Sequence, residues 1–136
     1  MTNQKNNKAI HITLWIAQVL LAVMFIMAGI MKASQPIEAL SQSLPWVTTV
    51  PVGLVRFIGI SELLGGLGLI LPSLLRFKPF LTVWAALGLA TVMILAAIFH
   101  ASRGEFSAIG VNVVLIAVFL FIAWGRSKKA RILSKH

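Results

Sequence analysis

Residues 52–72 read VGLVRFIGISELLGGLGLILP. Between Pro51 and Pro72 lie twenty residues, Val52–Leu71, of which only Arg56 and Glu62 are ionisable. Twenty helical residues rise about 30 Å, the depth of a bilayer's hydrocarbon core. A segment of this kind must satisfy its own backbone, so it is expected to cross the membrane as a helix. Gly59, Glu62 and Gly66 fall on one face at helical spacing, with Arg56 at its edge. Glycines let a neighbouring helix come close, so Glu62 is expected to look into a bundle near mid-bilayer.

Three further apolar runs flank this one: Ile12–Met31, Phe80–Phe99 and Phe106–Gly125. Breakers separate them: Pro36, Pro45 and Pro51 after the first, Pro72 and Pro79 around the second turn, Ser102-Arg103-Gly104 at the third. The expected fold is all-α, a four-helix transmembrane bundle in a single domain, with spans at about residues 12–31, 52–71, 80–99 and 106–125. Met1–Lys8 is polar and is expected to fray. The first run exceeds the 7–15 residues of a typical signal-peptide core, so it is read as a retained span.

Composition agrees. Of 136 residues, 59% are hydrophobic and 11% charged, whereas a soluble domain carries about a quarter charged. Twelve Lys and Arg against three carboxylates give +9, but the basic residues sit at span ends. That pattern fits a membrane surface rather than nucleic acid. Nine of the twelve (Lys5, Lys8, Arg76, Lys78, Arg126, Lys128, Lys129, Arg131 and Lys135) share the side of the termini and middle loop. Lys32 and Arg103 fall on the other side. The positive-inside rule places both termini in the cytoplasm. There is no cysteine, so disulfides and thiol redox chemistry are excluded for this chain alone.

Polar residues inside spans cost about 2.5–3.5 kcal/mol each on insertion scales and need a reason. His11, Gln18, Phe25, Gly29 and Lys32 share a face of the first span. A stripe of small residues ends in His100 on the third, and Glu105 and Asn112 share a face of the fourth. By depth, Lys32, Arg56, His100 and Asn112 converge with Glu62 on the outer half, and Gln18 stands apart toward the inner side. Arg56 and Glu62 are six residues apart, about 120° around the helix, so a third group should mediate between them. Two readings of Glu62 stay open: a structural anchor bonded to Asn112 or Arg56, or a proton-exchanging or ligand-binding carboxylate. His100 is a polar cap or a relay, Lys32 and Arg103 are snorkelling ends or ligand contacts, and Asn112 is interhelical glue or a partner of Glu62. Trp46 is an interfacial anchor or part of a loop covering a cavity. Gly29, Gly59 and Gly66 are read as helix-packing positions. No catalytic constellation and no metal-ligand cluster is visible. His11 and His100 lie near opposite faces, so a bis-histidine haem is disfavoured.

Gly29-Ile30-Met31-Lys32, the run from Ile58 to Pro72, His100 and Asn112, in this order and at these positions, resemble the DoxX-like family of small four-helix membrane proteins, from about Leu14 to Arg126. The resemblance implies an inner-membrane protein. Members are associated with quinone-linked thiosulfate oxidation and with membrane oxidoreductase complexes, and distant relatives with receptor assembly. The resulting expectation is an accessory subunit of a quinone-linked membrane redox system. In it Glu62 exchanges a proton, and Lys32, Arg56 and His100 hold a ligand. A structural or assembly partner is the alternative, and a small transporter a third class. Quinone is the cofactor to test. The bilayer and another membrane or redox protein are the expected partners, nucleic acid is not, and homo-oligomerisation is open.

Overall fold

The computed structural model describes residues 2–134; Met1 and Lys135 lie outside it, as does the side chain of Lys5. Helix α1 spans Thr2–Ser34, a short α2 spans Ile37–Leu40, and a 3-10 turn covers Pro45–Thr48. Then come α3 (Val52–Leu75), α4 (Phe80–Ser102) and α5 (Phe106–Trp124), which ends in a π-helical turn, Gly125–Lys129. No strand occurs among the described residues. Among the described residues, four helices are long and apolar enough to cross a membrane, over Asn7–Ser34, Val52–Leu75, Phe80–Ser102 and Phe106–Lys129.

Two expected boundaries move. The polar N-terminus is helical from Thr2 rather than frayed, since no proline or glycine interrupts the chain before Gly29. Pro72 lies inside the end of α3 rather than in the turn after it. A membrane helix tolerates a proline where neighbouring groups take over the freed backbone positions. The turn comes at Arg76, which is left-handed with φ 53° and donates its N–H to the Pro72 carbonyl.

Helix α1 packs chiefly on α3, α3 on α4, and α4 on α5, with a slimmer seam between α1 and α5. The α1–α3 contact is backbone to backbone. A methyl group added to Gly59 would lie 2.6 Å from the Ala33 nitrogen, and one on Gly29 would lie 2.5 Å from the Leu63 nitrogen. Gly66 meets Ile26 in the same way. The main core runs between the helices, with Leu14, Phe25, Leu69, Leu89, Phe119 and Ile122 buried in it. Phe25 and Phe119 meet edge to face at 5.2 Å. A second core of Leu40, Val47 and Val55 holds the α1–α3 connection down as a strap across one end of the bundle.

Candidate functional site

Close approach of α1 to α3 sets the site. Lys32 lies in the last turn of α1, where a cation complements the helix dipole. Its ammonium donates a 2.6 Å hydrogen bond to Oε1 of Glu62. Glu62 is buried, 2% exposed, and Lys32 is 14% exposed. A buried carboxylate needs such a partner, because an isolated charge in an apolar bundle is strongly penalised. The ammonium also lies 5.9 Å from the Trp46 ring centre.

Arg56 turns away from Glu62. Its Nη1 donates to the carbonyls of Lys32, at 2.9 Å, and Gln35, at 2.6 Å. It satisfies orphan acceptors at the end of α1 and sits at the negative end of that dipole. Lys32 is thus the third group between Arg56 and Glu62, giving its carbonyl to one and its ammonium to the other.

At the α4–α5 junction the Glu105 carboxylate accepts from Arg103 Nε at 2.9 Å and lies 3.0 Å from His100 Nδ1. It makes no side-chain cap of α5. The His100 hydrogen bond, helped by the charges of Arg103 and His100 and opposed by desolvation, holds the Glu105 carboxyl below its usual range. Arg103 also donates to Thr49 Oγ1 at 2.6 Å, and Trp46 packs edge to face on Phe99 at 6.0 Å. The strap is thereby tied to α4.

Beneath the strap lies a cavity of 480 Å³. Four of the five residues singled out as ligand candidates, Lys32, Glu62, His100 and Asn112, line it; Arg56 does not. The remaining wall is mostly apolar, and Leu44, Trp46 and Val50 of the strap belong to it. Leu54 and Phe57 of α3 and Leu95 of α4 belong to this wall and are also largely exposed. The cavity therefore reaches the surface that meets lipid. Asn112 is buried, makes no hydrogen bond to Glu62, and its Nδ2 has no partner.

A second polar cluster, at the opposite end, was not foreseen as a unit. Arg126, buried in the π-helical turn, donates from Nε to Gln18 Oε1 at 2.6 Å. From Nη1 it donates to His11 Nδ1 at 2.8 Å and to the Ala130 carbonyl at 2.8 Å. Gln18 in turn donates to the Leu69 carbonyl at 2.6 Å, and Ser73 bonds Thr82 at 2.7 Å. The signal was the seven-residue spacing of His11 and Gln18. Arg126 was hidden because it opens a basic run that reads as a topology signal. No group of three or more His, Cys, Asp or Glu residues that could hold a metal occurs among the described residues.

The model of the DoxX-like family matches residues 16–122, from the first span into the last. Comparison with curated proteins and with solved structures gives no match.

Proposed function

The chain belongs to the DoxX-like family, and from that premise we propose that it is an accessory subunit of a quinone-linked redox system in a bacterial-type inner membrane. In this reading both termini are cytoplasmic and the cavity occupies the outer half of the bundle. The observation that supports it most is the Lys32–Glu62 pair, buried in the wall of a cavity whose apolar side reaches lipid.

Reducing a quinone takes two electrons and two protons. The electrons come from a redox partner, since a chain without cysteine has no thiol to give them. This chain's part is protonic. A quinone held here would take one of its two protons through Glu62, which would receive it from Lys32 across their 2.6 Å bond. His100, in the cavity wall, is bonded to Glu105 outside it, and this pair would be the route for replacement from the aqueous side.

The experiment is titration of a short-chain quinone into the purified protein and its Glu62→Gln variant. Weaker binding by the variant, with a lost pH dependence, is the expected result. Equal binding by both, or none by the parent, overturns the reading.

One observation favours an assembly partner instead. Ser107, Gly110, Val111 and Val114 line a shallow groove on the lipid-facing side of α5, and a methyl group on Gly110 would meet nothing within 4 Å. A second membrane helix would fit such a small-residue surface. Crosslinking from this face to a co-purifying protein, abolished by Gly110→Leu, distinguishes the two readings.

A further inference from the structure

We infer that the cavity selects an uncharged amphiphile entering sideways from the lipid, and that Asn112 is the residue that recognises its polar head. This rests on the cavity being a ligand site, as proposed above, and adds what kind of head it takes and what reads it. Most polar groups of the wall are already engaged. Lys32 and Glu62 bond each other at 2.6 Å. The Ser61 hydroxyl donates to the Phe57 carbonyl at 2.8 Å. His100 pairs with Glu105, whose charge Arg103 also meets. Of the fully buried polar side-chain atoms in this wall, Asn112 Nδ2 is the one without a hydrogen-bond partner among the described residues.

Asn112 is 8% exposed and lines the cavity, and its Nδ2 has no hydrogen-bond partner among the described residues. An unpaired buried amide donor is destabilising, and no water is at hand in hydrocarbon to relieve it. An occupant with a hydrogen-bonding group at this depth removes that cost. Because an amide turns over readily, it can present either a donor or an acceptor.

Charge and access narrow the class. Every ionic group lining the cavity already has its counter-charge, so a charged head would enter without a partner. At the loop end the strap lines the cavity with Leu44, Trp46 and Val50, and the Arg103–Thr49 bond holds it there. The lipid-facing side is lined by Leu54, Phe57 and Leu95, all apolar. A molecule that dissolves in acyl chains and carries a carbonyl or ether oxygen meets both conditions.

The test uses four brominated ten-carbon probes in vesicles carrying the full chain: a methyl ester, an alkyl sulfate, an alkyl trimethylammonium and the plain alkane. Each quenches tryptophan on contact, and the quenching lost in Trp46→Phe reports occupancy of the cavity. The expected order puts the methyl ester first, ahead of the alkane by about fivefold, the worth of one neutral hydrogen bond. In Asn112→Leu that lead disappears while the alkane's own quenching stays. If the ester keeps its lead in Asn112→Leu, Asn112 is not the recognition residue, although the cavity stands. If either charged probe binds best, selection for neutral heads is wrong, a result read on the unmutated protein without any variant. If no probe quenches Trp46, the ligand-site reading falls together with this one.

Discussion

Glu62 stood out in the sequence as one of three carboxylates and the only one inside a span. Its partner did not. Arg56 and Asn112 were the nearest candidates by helix position and depth, yet the bond goes to Lys32, thirty residues away. The reason is a distance no single-helix reading contains: Gly59 seats the backbone of Lys32 and Ala33 against α3. The pair makes a clear prediction. Removing one member of a buried ion pair strands the other, at about 3–5 kcal/mol, whereas replacing both by apolar groups is often neutral. Lys32→Met and Glu62→Leu should each lower thermal stability in detergent, and the double variant should recover most of the loss. Additive losses would mean that the two charges do not interact. Glu105 adds a pH dependence. Its folded-state pKa lies below the ordinary value of 4.5, so its contribution is complete above that value. It is lost as pH falls through the lower folded-state pKa. A Trp46 emission titration should show a strap that loosens only on this acid side, and Glu105→Gln should remove that step.

At the scale of helices, the number and order of the spans were legible because twenty-residue apolar runs between breakers have few alternatives in a bilayer. Their ends were less so. Proline and polarity were read as stops, but Pro72 lies within α3 and the polar start of α1 is helical. Packing between helices gives a sharp contrast among glycines. Gly59→Ala forces a methyl to 2.6 Å from backbone that cannot swing aside, and should cost about 1–3 kcal/mol while prising Lys32 from Glu62. Gly88→Ala, on α4 with nothing within 4 Å, should instead stabilise by about 0.5–1 kcal/mol. Thermal unfolding of the two variants beside the parent checks both signs. The π-helical turn works similarly at the other end. It closes with the Ala130 N–H on the Gly125 carbonyl at 2.7 Å and turns Arg126 inward. Arginine can only donate, so His11 Nδ1 accepts and the ring is the neutral Nε2–H tautomer. Gln18→Leu should cost about 1–3 kcal/mol, because it strands the Arg126 Nε–H and removes the bond from Gln18 to the Leu69 carbonyl. Hydrogen exchange at Ala130 should quicken with it.

Across the whole molecule, the two polar clusters sit at opposite ends and differ in kind. The Lys32 end holds carboxylates paired with cations around a cavity, while Arg126 is met only by neutral acceptors. The distribution of basic residues gives this asymmetry an expected orientation in the membrane. Eight of the nine that share the side of the termini and middle loop lie within the described residues. The positive-inside rule then predicts Arg126 near the cytoplasmic surface and the cavity toward the outside. A chain without cysteine makes the check direct. Ser102 and Ser127 are both exposed, at opposite ends of the bundle. In intact cells a membrane-impermeant maleimide should label Ser102→Cys at once and Ser127→Cys only after permeabilisation. The reverse order would place the cavity on the cytoplasmic side, and any partner that exchanges protons with Glu62 would then have to reach it from there.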